Sequence, residues 1–336
     1  MSLVHASPLW TDIGYTGDAS ILSDTPTAAQ LADEAARLAD GEPHRARELA
    51  TQALVAAGRE DDPSAASVAE RALGFVAWEL RELDVAVRHL GRAIAIARAA
   101  GLPERAGQAR RNLAVVLHDM GNTRGALREA DIAAGELRGA ELARLHMMRS
   151  LVLQRLGRMD EALAGYGRAL DIFRRTGDRL MEARVLGNRG WLQGLRGAFG
   201  AAEADLLRAE AIFVDLGQQA NVAKARHNLG LAIAGRGDVP RALAIYDDVE
   251  ERFAALGLPL ALVRMDRAEL LLSVHLVTEA RRDAEAAAGE LAGAGAATYH
   301  AEALLLLARA ALLEGDPERA RAAAHEALGD FTRQRR

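Results

Sequence analysis

The sequence predicts an all-α protein built as a solenoid of about eight antiparallel helical hairpins. Three observations support this fold class: an apolar content carried by alanine and leucine, small residues that recur about every 40 positions, and turn signals in register with them. Hydrophobic residues make up 50% of the 336 residues, whereas aromatic residues make up only 4%. Because strands favour β-branched and aromatic side chains, this composition favours closely packed helices.

The repeat is defined by a tight turn inside each hairpin. Its eight aligned positions, separated by 36, 38 or 40 residues, are Gly41, Arg81, Gly121, Gly157, Gly197, Gly237, His275 and Gly315. Alanine stands five residues after every turn, and a small residue such as Gly230 stands seven before nearly all of them. Small residues at fixed positions let two helices approach closely. Each hairpin cannot bury its apolar face alone, so stacked hairpins are expected to build one continuous core.

The chemistry of the turns agrees with this register. Glycine suits the left-handed residue that ends a helix, and an acidic residue followed by proline suits the cap and first turn of the next helix. The segment EGDPERAR fits through Gly315, Asp316 and Pro317, and RGDVP fits through Gly237 and Asp238. Each repeat is therefore predicted to be helix, tight turn, helix and a looser connection.

These residues resemble a known family. Leu229, Gly230 and Ile233, followed by Gly237, Ala242 and Tyr246, look like the tetratricopeptide repeat. That repeat usually spans 34 residues, so a period near 40 resembles its long-helix variants. HEAT and armadillo arrays share the longer period, but the glycine turn and the small-residue columns favour the tetratricopeptide interpretation. The resemblance covers residues 27 to 332 and implies a right-handed superhelix with a concave peptide-binding groove.

A narrower resemblance concerns four segments: RALGFVAWELRELDVAVRHL, SLVLQRLGRMDEALAGYGRAL, ARHNLGLAIAGRGDVPRAL and RMDRAELLLSVHLVTEAR. Together they look like the repeat region that precedes a CHAT domain, a caspase-like protease module of actinobacterial proteins. That family implies a catalytic His and Cys in a following α/β domain. Neither residue can be assigned here, since the chain has no cysteine. Either the protease module lies beyond Arg336 or the array stands alone.

Charge and missing motifs narrow the range of functions. The formal charge of −5 argues against a nucleic acid partner, and no long apolar segment predicts a membrane partner, so a cytoplasmic protein is expected. Without cysteine there is no disulfide or thiolate zinc site. No phosphate loop, HExxH or nucleophile elbow occurs, so we expect no enzymatic activity, cofactor or metal. Residues 1–26 are expected to form a flexible arm, and residues 333–336 a basic tail.

The first helix of each hairpin carries the candidate binding residues. The resemblance to the tetratricopeptide repeat implies that positions 13, 10, 9, 6 and 3 residues before the turn face the groove. Asparagine occupies the ninth position before the turn in three repeats, as Asn112, Asn188 and Asn228. A carboxamide offers both a donor and an acceptor, so it can hold a peptide backbone. The alternative is that these amides bond within the scaffold.

Basic residues accompany the amides. Arg144, Arg184 and Lys224 stand 13 residues before their turns, and the tenth position before the turn is basic in three repeats. Those three are Arg71, Arg111 and His227. The middle of the groove is therefore predicted to be basic and to favour a protein or peptide segment that carries carboxylates. The alternative is solvation or ion pairing, with Asp119, Glu79 and Glu182 as candidate partners.

Two tryptophans are candidate anchors for the same segment. Trp78 and Trp191 are of the residue type that dominates binding hot spots, although core packing is the alternative for each. The sequence thus predicts a protein-interaction scaffold, as the sensor or regulatory region of a CHAT-protease system. The alternative function is the peptide-sensing domain of a bacterial transcription or signalling regulator.

Overall fold

The computed structural model describes residues 26–293 and 296–334, and it contains sixteen α-helices and no strand in those ranges. The chain divides into two compact units, with the boundary between Val185 and Leu186. The N-terminal unit contains α1 (Ala28–Leu38), α2 (Pro43–Glu60), α3 (Pro63–Glu79), α4 (Leu83–Ala99), α5 (Pro103–Asp119), α6 (Thr123–Glu136), α7 (Gly139–Arg155) and α8 (Met159–Thr176). The boundary falls within α9 (Arg179–Leu195). The C-terminal unit continues with α10 (Phe199–Asp215), α11 (Gln219–Gly235), α12 (Val239–Ala255), α13 (Ala261–Ser273), α14 (Val277–Leu291), α15 (Ala297–Leu313) and α16 (Pro317–Gln334). The all-helical prediction is confirmed.

The predicted turns carry the left-handed backbone that a tight helical hairpin needs. Seven of the eight aligned positions have positive φ, and Gly41 is the exception. Arg81 and His275 adopt φ of 61° and 62° although neither is glycine. A side chain at such a φ is strained, so these two turns are held by the packing of the helices on either side.

A second series of left-handed turns joins one hairpin to the next. Its members are Asp61, Gly101, Gly139, Gly177, Gly217, Gly257 and Gly293. These connections were expected to be loose, whereas five of the seven place only two or three residues between the helices, as few as most turns within the hairpins. The recurrence of glycine at this second position, spaced like the first, was the available signal.

The small-residue columns are helix crossings, as predicted. The alanines five residues after the turns are all buried, and every residue twelve positions after a turn is buried as well. At Gly74 an added Cβ would lie 2.6 Å from Leu90 Cγ, and at Gly190 it would lie 2.8 Å from Leu206 Cγ. Because these contacts leave no room for a methyl group, glycine sets the approach of the two helices in both hairpins.

Helix contacts within each unit join near neighbours in the chain. In the N-terminal unit α3 packs on α4 and on α5, and α5 packs on α6 and α7. In the C-terminal unit α13 packs on α14 and α15, and α11 contacts α13. First helices of successive hairpins therefore lie side by side, which brings residues at equivalent positions before the turn onto one surface.

The ends of the described chain bear on three expectations. The expected arm, residues 1–26, lies outside the described residues except for Pro26. Helix α16 continues through Gln334, so residues 333 and 334 of the expected basic tail are helical. None of the helices in the part of the chain that the structure describes is long and apolar enough to cross a bilayer.

Candidate functional site

A cavity of about 280 Å³ in the N-terminal unit is lined by the first helices of four successive hairpins, namely α3, α5, α7 and the beginning of α9. We call it the Trp78 cavity. Trp78 comes from α3, His118 and Asp119 come from α5, and most of the floor comes from α7. The floor is apolar and consists of Val115, Met147, Met148, Leu151, Val152 and Met181. Four of these six residues stand six, nine or ten positions before their turns, as expected for a shared face.

The rim of the Trp78 cavity is mostly positive. Four guanidinium groups line it, from Arg81, Arg111, Arg144 and Arg155, against the single carboxylate of Asp119. Asp119 Oδ2 accepts a hydrogen bond of 2.6 Å from Trp78 Nε1 and lies 3.7 Å from Arg81 Nη1. The indole is thereby fixed, so its ring presents a rigid wall to the cavity.

Glu141 neutralises part of this charge. Its carboxylate lies 2.7 Å from Arg111 Nη1 and 2.6 Å from Arg144 Nη1. Burial alone would raise the pKa of Glu141, but the charges of Arg111, Arg144 and Arg71 hold that pKa below its ordinary value. Asp178 lies 3.8 Å from Arg144 Nη2. Glu141 was not among the residues predicted from the sequence, although its spacing of three residues from Arg144 on α7 was a signal for a pair.

A smaller cavity of about 110 Å³ adjoins this ion cluster and shares Arg111 and Arg144 with the Trp78 cavity. Arg71, Arg111, Asn112 and Arg144 line it together with Gln108 and Glu141. Arg111 is only 3% exposed, and burial lowers its pKa. Five residues predicted from the sequence, namely Trp78, Arg71, Arg111, Asn112 and Arg144, are therefore gathered around two adjoining cavities of one unit.

His118 lines the Trp78 cavity as a neutral imidazole. Arg155 Nη1 lies 3.0 Å from His118 Nε2, and an arginine can only donate, so the neutral imidazole carries its proton on Nδ1. Burial, followed by the charge of Arg155, lowers the pKa of His118. Nδ1 is buried and has no hydrogen-bond partner among the residues that the structure describes.

The three asparagines are buried rather than presented to solvent. Asn112 and Asn228 are each 4% exposed, and Asn188 is 3% exposed. Asn112 Oδ1 accepts a 3.4 Å bond from Arg111 Nη2, whereas Asn228 Oδ1 and Asn188 Nδ2 have no partner within the described ranges. Asn228 lines one of the three cavities described in this subsection, whereas Asn188 lines none of the three. Arg184, which is buried, and Lys224, which is partly buried, also line none of these three cavities.

A third cavity, of about 270 Å³, lies in the C-terminal unit. Three of its lining residues were predicted: Trp191, His227 and Asn228. It also contains Asp266 and Glu269 of α13 and Glu302 of α15, which the sequence analysis did not select. These carboxylates stand nine, six and thirteen residues before their turns, the same positions that hold amides and arginines elsewhere. Their positions before the turn were therefore the available signal for these three carboxylates.

The polar residues of this third cavity are partly paired. His227 Nε2 lies 2.7 Å from Asp266 Oδ2, and the His227 ring meets the edges of Tyr246 and Phe253. Burial, together with the neighbouring charge of Asp266, raises the pKa of Glu269. In the described part of the chain no group of three or more metal-binding side chains could hold an ion.

Comparisons with known proteins bear on the fold. The tetratricopeptide repeat family matches residues 141–215. The fold is that of a tetratricopeptide-like helical repeat. A comparison with curated protein sequences found no match.

Three solved structures illustrate this similarity in fold. The apo form of RapI matches 78% of this chain and 96% of its own, with a TM-score of 0.63 and 14% identity. The apo form of the quorum sensor NprR from B. thuringiensis matches 91% of this chain and 89% of its own, with a TM-score of 0.65 and 12% identity. A Rap protein complexed with competence and sporulation factor matches 87% of each chain, with a TM-score of 0.54 and 16% identity.

Proposed function

We propose that the chain is a protein-interaction scaffold and that the Trp78 cavity takes an acidic peptide or protein segment. The observation that carries the proposal is the arrangement of four arginines around an apolar floor beside a fixed indole. A cavity with this combination suits an apolar side chain flanked by carboxylates. The apolar floor contacts the apolar side chain, and the arginines pair with the carboxylates.

The chemistry of the cavity explains how one segment would bind. Methionine side chains adapt their shape, so Met147, Met148 and Met181 suit an apolar group without demanding one residue type. Trp78 supplies a rigid surface of the kind that dominates binding hot spots. Arg155 donates to neutral His118 and forms no ion pair within residues 26–293 and 296–334, so its charge is available to a carboxylate. Glu141 compensates Arg111 and Arg144, so the outer arginines carry most of the electrostatic attraction.

Arg155→Gln tests the proposal, with Arg128→Gln as the matched control, since Arg128 is an exposed arginine of α6 that lines none of these cavities. The probes are labelled hexapeptides in which leucine alternates with glutamate or with lysine, followed by fluorescence anisotropy. Arg155→Gln should weaken the glutamate peptide about three- to tenfold and flatten its salt dependence. Equal binding of both peptides to the parent chain, or equal losses in both variants, would contradict the proposal.

The structural relatives favour a peptide-sensing version of this function. NprR is described as a quorum sensor, and one Rap structure contains competence and sporulation factor. By analogy the chain would be the peptide-sensing domain of a cytoplasmic bacterial regulator. If so, the acidic segment is a short diffusible peptide, and a peptide of six or fewer residues should bind as tightly as a longer segment that contains it.

The resemblance to repeat regions that precede CHAT domains supports another version, in which the scaffold regulates a protease. The gene sequence downstream of the codon for Arg336 separates the two. A following α/β domain with a His and a Cys supports the protease version. A DNA-binding or signalling domain encoded in its place supports the peptide sensor.

A further inference from the structure

The third cavity has the opposite charge to the Trp78 cavity. Asp266, Glu269 and Glu302 contribute three carboxylates, and Arg309 contributes one guanidinium. The buried His227 contacts Asp266 Oδ2 through its Nε2 and so orients that carboxylate. The sign of the field therefore favours a cation.

Aromatic rings complete the lining. Trp191, Phe199 and Tyr299, which come from α9, α10 and α15, line the same cavity as the carboxylates. A cation within about 6 Å of such a ring gains electrostatic attraction in addition to any ion pair. A combination of carboxylates and aromatic rings suits a cation on a partly apolar stem, because the stem contacts the rings and the charge reaches the acids.

Asn228 provides an observation that does not depend on the acidic residues. It is 4% exposed, lines this cavity, and its Oδ1 has no hydrogen-bond partner in residues 26–293 and 296–334. A buried carbonyl oxygen without a partner costs free energy, so a donor that reaches Oδ1 from the cavity would be stabilised there. As an acceptor, Oδ1 requires a donor, and both ammonium and guanidinium groups are donors.

We infer that this cavity binds the side chain of a lysine or arginine residue in a peptide segment, with Asp266, Glu269 and Glu302 pairing with the charge and Asn228 Oδ1 accepting one of its hydrogens. The volume of about 270 Å³ is slightly below the range of about 300–1,000 Å³ typical of small-molecule pockets, so it suits one long side chain. This site is separate from the Trp78 cavity and requires a ligand of opposite charge.

Glu269→Gln and Arg309→Gln form a pair of variants with opposite expected effects. Glu269→Gln removes one attractive charge and should weaken binding about tenfold, whereas Arg309→Gln removes the competing cation and should strengthen it about threefold. A purely structural role could not give changes of opposite sign. Glu251→Gln, an exposed glutamate on α12, is the control and should change nothing.

The probes are N-acetylated hexapeptide amides from a positional library with one arginine, each matched by a peptide with uncharged citrulline at that position. Binding is measured by calorimetry on the full chain at pH 8, with circular dichroism confirming helicity of each variant. The arginine peptides should bind and the citrulline peptides should lose at least tenfold in affinity. Equal binding of the two series, absence of binding, or no change in Glu269→Gln would overturn the inference.

The dependence on pH provides a second readout. Burial and Asp266 raise the pKa of Glu269, so acidification protonates this carboxyl before an ordinary glutamate. Glu302, Arg309, Tyr299 and the His227–Asp266 pair face the same cavity, and among them Arg309 opposes the shift. Affinity for the arginine peptide should therefore fall as pH decreases toward 5, and Glu269→Gln should make that fall shallower. Arg155→Gln should leave this binding unchanged, which separates failure here from failure at the Trp78 cavity.

Discussion

Glu141 shows how one side chain decides what the predicted basic residues can do. Two arginines reach its carboxylate within 2.7 Å, and one of them, Arg111, is almost fully buried. An unpaired buried guanidinium is costly, so Arg111 can remain charged in the helix packing only because Glu141 accompanies it. The predicted basic surface is therefore weaker near Arg111 and stronger toward Arg155.

Replacing Glu141 with glutamine should destabilise the N-terminal unit. Glu141→Gln leaves Arg111 buried without a counter-charge, and breaking a buried pair in this way typically costs about 3–5 kcal/mol. Glu161→Gln is the matched control, because Glu161 also pairs with an arginine, Arg158, but at the surface. Chemical denaturation followed by circular dichroism should show a large loss for the first variant and none for the second. Similar midpoints for both variants would show that Arg111 finds another partner.

The residues of the candidate sites could be predicted only where the repeat fixes their position. Asn112, Asn228 and Arg111 were found because their places before the turn recur in several repeats. Asp266 stands nine residues before its turn, as the asparagines do, but it is not an amide and was not predicted as a site residue. Its role depends on Glu269 and Glu302 from two different helices, and a charge formed by several helices together cannot be inferred from one column of the repeat.

At the scale of the element, a glycine determines how closely α11 can approach α12. A Cβ at Gly230 would lie 2.8 Å from Tyr246 Cε1 and 3.2 Å from Ile245 Cγ2. Tyr246 is fully buried, so its ring has no free space into which to move. The sequence predicted this crossing correctly, because the packing of two helices requires small residues at a fixed distance from the turn. The register also predicted turns at Arg81 and His275, although neither residue favours the left-handed backbone that packing imposes there.

Gly230→Ala should therefore destabilise the C-terminal unit although alanine is the better helix former. Crowding against Tyr246 is expected to cost about 1–3 kcal/mol, more than the gain of about 0.5–1 kcal/mol from helix propensity. Gly289→Ala, on α14, is the control, since an added Cβ there would have no neighbour within 4 Å. Thermal denaturation should give a lower midpoint for Gly230→Ala and an equal or higher one for Gly289→Ala. A rise in both would mean that α12 shifts at little cost.

At the scale of the molecule, the repeat makes most interactions local. The extensive helix contacts in each unit join a helix to its next and next-but-one neighbour, as α3 does with α4 and α5. In arrays of this kind, stability is approximately a sum of repeat and nearest-neighbour contributions. Each cavity is built by a few consecutive hairpins. Equivalent positions before the turn can therefore carry basic residues in the N-terminal unit and acidic residues in the C-terminal unit.

Because the contacts are local, a substitution should change the local stability only of the helices near it. Gly230→Ala should increase amide hydrogen exchange in α11 and α12 and in the adjoining helices, and should leave α1 to α4 at the parent rates. The reason is that the lost contact with Tyr246 enters the free energy of local opening only for helices that share an interface with it. Exchange followed by mass spectrometry under native conditions measures this helix by helix. Loss of protection spread evenly from α1 to α16 would instead mean that the chain opens as one cooperative block, and the nearest-neighbour description would then not apply.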